Sequence, residues 1–196
     1  MDMKSAWPEV QQAAKENRHE LVLSGAHVCQ RISAEGLDKN IFYLHGLNYL
    51  NINQTCLDAI PADVSKLENL TTLVFHSNKI SAIPANVKAL SKLKVIDCSR
   101  NQLEKLPEEL EDLHQLTTIN FSSNLLTQLP SQKFNTKLAS LDLSNNQFDA
   151  FPDVCYPELV LLAEIKVNGN RIKEIPADIK VLTSLKLLDL ADNCIK

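Results

Sequence analysis

One apolar pattern recurs in register seven times through the last three quarters of this chain, and it constrains the fold more than anything else in the sequence. The segment Leu93-Lys-Val-Ile96-Asp-Cys98-Ser-Arg-Asn101-Gln-Leu103 has apolar residues at places one, four, six and eleven, and Asn at nine. The same frame begins at Leu47, Leu70, Leu93, Leu116, Leu138, Leu162 and Leu185. Place nine reads Thr55, Asn78, Asn101, Asn124, Asn146, Asn170 and Asn193. Each unit continues through an apolar-Pro pair such as Ile60-Pro61, Ile83-Pro84 or Leu106-Pro107. Self-similarity at such a period marks a stacked architecture in which no unit closes a core alone.

The local physics follows from the period. Places four and six alternate, so that stretch predicts a short strand with one face buried. The proline presets φ for a turn into a short helical or 3₁₀ segment. The Asn amide carries donors and an acceptor, so the side chains of Asn78, Asn101, Asn124, Asn146, Asn170 and Asn193 are expected to form a ladder satisfying turn backbone groups. Strands stack about 4.8 Å apart, and the bulkier helical side needs more room. The expected fold is therefore α/β, a right-handed solenoid with a concave parallel sheet.

These residues carry a resemblance. The pattern LxxLxLxxNxL over residues 47–195 resembles the leucine-rich-repeat family, in its intracellular form with 23-residue units and an apolar-Pro pair. The opening is similar to the family of leucine-rich repeat-containing protein forty-seven, through Trp7-Pro8-Glu9-Val10, Arg18-His19-Glu20-Leu21-Val22-Leu23-Ser24-Gly25, Ile41-Phe42-Tyr43-Leu44 and Leu47-Asn48-Tyr49-Leu50. That likeness implies an adaptor arm of a translation- or RNA-linked protein, with a synthetase-like B3/B4 domain beyond residue 196.

The chain divides into an N-terminal helical cap with a degenerate first repeat, 1–46, and seven repeats over 47–196, the last incomplete. Residues 8–19 read as a helix, either a cap or a partner-binding helix, and Glu20–Gly25 as a strand. Leu21, Leu23 and Val28 match places four, six and eleven, and a long connection is expected from Cys29 to Gly46. The stop after Ile195-Lys196 suggests a chain that continues, since terminal units need polar caps.

Net charge is −4 and 22% of the residues are charged, without the basic footprint of a nucleic-acid binder. No apolar run is long enough to span a membrane, and the first residues lack a secretory h-region. Five cysteines in no metal-binding spacing point to free thiols in a reducing, cytoplasmic setting. The sequons at Asn53, Asn69 and Asn120 are then inert. With four glycines and no phosphate-cradling motif, no cofactor and no metal are expected.

Places three, five, seven and eight should face the concave side. The candidate partner-binding residues are Tyr49, Val74, His76, Val95, Asp97, Arg100, Asn120, Asp142, Glu164, Lys166 and Asp189. Tyr49, Val74 and Val95 beside His76 make an apolar patch, rimmed by Asp97 and Arg100. It reads either as a partner hot spot or as β-branched residues suited to a strand. Asp142, Glu164, Asp189 and Asp192 outnumber Lys166 toward the other end, either steering a basic partner or keeping the face solvated. Ser99, His76 and Asp97 could assemble a Ser/His/Asp set on paper, but an open face offers no oxyanion hole, so no catalysis is expected. The expected function is recognition of a protein partner of unknown identity, with no direct nucleic-acid binding by this segment.

Overall fold

The computed structural model describes residues 7–130, 134 and 136–196. Eight parallel strands form one sheet in chain order: β1 Glu20–Ser24, β2 Tyr49–Asn53, β3 Thr72–Val74, β4 Val95–Asp97, β5 Thr118–Asn120, β6 Ser140–Asp142, β7 Glu164–Lys166 and β8 Leu187–Asp189. Register carries place four onto place four at each junction: Leu21, Leu50, Leu73, Ile96, Ile119, Leu141, Ile165 and Leu188. Parallel neighbours need a crossover, and such crossovers are right-handed. The α/β solenoid expected from the repeat is the fold of the chain.

Behind the sheet, each return begins at the proline. Pro61, Pro84, Pro107 and Pro176 hold φ between −63° and −73° and lead into 3₁₀ turns at Ala62–Lys66, Ala85–Ala89, Glu108–Asp112 and Ala177–Val181. The core lies between the sheet and these turns. In one unit Leu93, Ile96, Cys98, Leu103, Leu106, Leu110 and Leu113 are all buried. A buried leucine contributes roughly 1.5–3 kcal/mol, so stacking one unit on the next supplies most of the stability. The loop after Pro130 is described only at Phe134, which is buried.

The asparagines run along one edge of this core. Asn101 Oδ1 accepts from Ile80 N–H of the preceding unit (3.0 Å). Its Nδ2 donates to Phe75 O of that unit (2.9 Å) and to Cys98 O and Ser99 O of its own. Asn124, Asn146, Asn170 and Asn193 repeat this arrangement. Asn78 closes the series on Thr55 N–H, Leu57 N–H and Ile52 O. The residue before each asparagine turns the chain with positive φ: Ser77, Arg100, Ser123, Asn145, Asp192 and Gly169. At Gly169 a Cβ would collide with the Asn145 side chain.

The N-terminal end holds the expected first helix and strand, the helix shorter than residues 8–19, and departs from the reading of the sequence after them. A helix, α1 Pro8–Lys15, buries Val10 and Ala13. The stretch expected to be a connection holds a second helix, α2 Gly25–Glu35, and a 3₁₀ turn, Lys39–Tyr43, that buries Ile41 and Phe42. In α2 only Val28 is fully buried, with Ile32 packed partly beneath it. That leaves no apolar stripe wide enough to announce a helix. Arg31 on α2 grips Glu9 on α1 with both terminal nitrogens (2.7 and 3.0 Å), and its guanidinium lies 4.4 Å from the centre of the buried Trp7 ring. A second correction concerns the thiols. Cys29 and Cys56 form a disulfide with Cα atoms 5.4 Å apart, while Cys98, Cys155 and Cys194 are free.

Candidate functional site

Strand alternation turns places three and five of every unit to the open face while places four and six enter the core. Register then aligns two rows. The first runs Glu20, Tyr49, Thr72, Val95, Thr118, Ser140, Glu164, Leu187, and the second Val22, Asn51, Val74, Asp97, Asn120, Asp142, Lys166, Asp189. Tyr49, Val74 and Val95 sit on successive strands in alternating rows, and each is half-buried. Val22 on β1 continues the zigzag and is 53% exposed. The sequence frame began at Leu47 and missed it; the alternation Leu21, Val22, Leu23 was the available signal.

A chain of side-chain bonds stiffens this patch. Asn53 Nδ2 donates to Asn51 Oδ1 (2.6 Å), and Asn51 Nδ2 donates to the Tyr49 hydroxyl oxygen (3.2 Å). His76 pairs through Nδ1 with the Ser77 hydroxyl (3.1 Å). Arg100 is exposed, next to the turn.

Place five carries a second recurrent device that the sequence reading did not find. Asp97, Asn120, Asp142 and Asp189 each accept from the backbone N–H two residues on, at 2.9–3.1 Å. The Asx geometry ends the strand and bends it into the turn. These groups are therefore fixed in direction at the ends of their strands. Toward the far end Glu164 pairs with Lys166 (2.8 Å) and accepts from the Ser140 hydroxyl (3.0 Å). The lysine bond holds the Glu164 carboxyl below the usual range, and the same bond raises Lys166. Asp142 and Asp189, in the same row on the neighbouring strands, flank Lys166 and add to its shift.

The Ser/His/Asp set does not assemble. Asp97 accepts from the Ser99 backbone N–H, His76 is turned to Ser77, and Ser99 is buried. Burial also pushes the Cys98 thiol far above its ordinary range, with Asp97 adding to the shift. Cys155 is raised for the same first reason. A cleft of about 560 Å³ lies away from the sheet rows, lined by Lys105, Glu108, Phe148, Asp149, Phe151 and neighbours, without a histidine or cysteine. Among the described residues, no three His, Cys, Asp or Glu are grouped to hold a metal ion. None of the described helices is long and apolar enough to cross a membrane.

A family model described as a leucine-rich repeat region matches residues 21–130. The chain belongs to the leucine-rich-repeat family. The match begins at Leu21, inside β1. Among solved structures, a leucine-rich-repeat protein of Leptospira interrogans is similar, with TM-score 0.69 and 24% identity over 95% of this chain. The chain spans 58% of that protein's length, and the likeness is one of fold. No curated protein matches by sequence. The family is one of interaction repeats, and this chain is a repeat module of that kind.

Proposed function

We propose that the concave sheet recognises a protein partner, without chemistry, through an apolar anchor on β1–β4 and a set of fixed acids on β4–β8. The observation that carries this reading is the zigzag Val22, Tyr49, Val74, Val95. It is apolar, partly exposed, and mounted on strands whose opposite faces are fully buried. A rigid aromatic-aliphatic cluster rimmed by polar groups is how interfaces concentrate affinity. His76, Asp97, Arg100 and Asn120 border it, and Asp142, Glu164, Lys166 and Asp189 supply the charged extension. The division into a cap over 1–46 and an array over 47–196 belongs to this proposal, with α1 closing the end of the core. The Cys29–Cys56 disulfide counts against the reducing, cytoplasmic setting expected from free thiols, while Cys98, Cys155 and Cys194 remain free.

The test is capture from cytosolic extract by the wild-type chain and by Tyr49→Ala/Val95→Asp, with and without RNase. Proteins held by the wild type and lost by the variant, at unchanged circular dichroism, support the reading. Equal capture overturns it.

A narrower reading rests on the opening segment. The residues that resemble the forty-seven family are those that hold the cap: Trp7, Val10, Leu21, Leu23, Ile41 and Phe42 are all buried. On that resemblance alone, the narrower reading is an adaptor arm of a translation-linked protein with a B3/B4 domain after residue 196. Captures that vanish with RNase whichever variant is used favour it; a following sequence without such a domain removes it.

A further inference from the structure

From β3 onward every junction between units is bridged by an asparagine amide. Its Nδ2 reaches back to a carbonyl of the preceding unit, in turn Ile52, Phe75, Cys98, Phe121, Leu143 and Val167. The junction between the first two units has no such amide. Place nine of the second unit is Thr55, and its hydroxyl donates forward to Asn78 Oδ1 (2.9 Å), not back to the first unit. The position after it is Cys56, held at φ 57°, and its sulfur reaches back to Cys29 on α2. A covalent link thus stands at the one junction where the ladder is missing.

The link is accessible. Cys29 and Cys56 are only partly buried, and both line a mouth of about 380 Å³ with Gly25, Gln54, Ser77 and Lys79. Ser33 Oγ lies 3.6 Å from Cys56 Sγ and can donate to the sulfur when it is reduced.

We propose that Cys29–Cys56 is a reversible thiol–disulfide site that clasps the first unit to the array, and that its reduction loosens β1 and α2 while leaving the later units intact. A cellular or added dithiol supplies the electrons. Its thiolate attacks one sulfur, the protein S–S bond breaks, and a mixed disulfide forms with release of one cysteine thiolate. The reagent's second thiolate then displaces the other cysteine. Two electrons and two protons end on the protein as two thiols, and the reagent leaves as its own disulfide.

What remains to hold α2 is modest: Val28, the partly covered Ile32, and Arg31, which lies over the Trp7 ring and pairs with Glu9, whose carboxylate is 40% exposed. Opening a loop of 27 residues releases chain entropy that corresponds to an opening equilibrium on the order of a hundredfold larger.

The test uses the whole chain, held with no added reductant or with reduced glutathione, then denatured, alkylated and measured by mass. Three labels without reductant and five with it are expected, the first set on Cys98, Cys155 and Cys194. Hydrogen exchange of the native protein should then speed by about a hundredfold over residues 20–35 on adding dithiothreitol, with β4–β7 unchanged. Cys29→Ser/Cys56→Ser should show the reduced pattern without reductant. Five labels before reduction, exchange unaltered by dithiothreitol, or a rise spread over all strands would each overturn the proposal.

Discussion

Consider the removal of one ladder amide, Asn124→Ala. Asn124 is buried and makes four bonds: Oδ1 accepts from Leu103 N–H (2.9 Å), and Nδ2 donates to the carbonyls of Cys98 (3.0 Å), Phe121 (2.9 Å) and Ser122 (3.2 Å). The three carbonyls are not orphaned by the change. Cys98 O keeps Asn101 Nδ2, Phe121 O keeps Asn146 Nδ2, and Ser122 O keeps Arg100 N–H. Leu103 N–H is left without an acceptor in the buried turn. An unsatisfied buried donor costs about 1–3 kcal/mol, and the weakened carbonyl bonds and lost packing add to it. We expect about 2–3 kcal/mol, or a melting temperature about 5–10 °C lower for a chain of this size. Urea unfolding followed by circular dichroism measures it, as a lower midpoint at unchanged slope. A loss below about 0.5 kcal/mol would refute the bond-by-bond reasoning, because it would mean that water replaces the amide freely.

Three further outcomes follow from single sites. Burial pushes Tyr156 up to about 12, against its hydrogen bond to Phe134 O (3.1 Å); alkaline absorbance titration should show one late phenol step that Tyr156→Phe abolishes. Because that folded value is raised, the associated stability is whole below about pH 10 and falls as pH rises toward 12. Arg31 holds the Glu9 carboxyl below its usual 4.5, so the pair's contribution is present above that value and lost as pH falls through the lower folded one. Glu9→Gln should cost only about 0.5 kcal/mol at neutral pH, given the exposure, and the difference from wild type should vanish in acid. Arg100 sits exposed at φ 55°, where an L side chain is strained, so Arg100→Gly should raise stability by about 0.5–1 kcal/mol in the same urea assay.

The fold was legible because the repeat is enforced residue by residue. Leu93, Ile96, Cys98 and Leu103 are each wholly buried, so every unit must show the pattern or lose its contact with the next. The illegible parts are those that lack this enforcement. Helix α2 turns one residue fully into the core, and so its periodicity is weak. The Cys29–Cys56 bond joins residues 27 apart and becomes visible only when stacking lays one unit's turn over the preceding helix. The Asx turns at Asp97, Asn120, Asp142 and Asp189 were hidden for another reason: Asp and Asn also read as ordinary solvent-facing polar residues. In the candidate site, the rows of open-face side chains followed from alternation, but Val22 was lost because its strand precedes the regular frame. No residue in either row specifies the ligand, since a fold of this kind accepts many.

If recognition occurs on the open face of the sheet, that face must touch the partner directly. A photo-reactive amino acid placed at Val95, in the apolar zigzag, and separately at Lys88, on the exposed side of an outer 3₁₀ turn, tests it in cytosolic extract. A covalent partner adduct is expected from position 95 and none from 88. Adducts from 88 with none from 95 would contradict it.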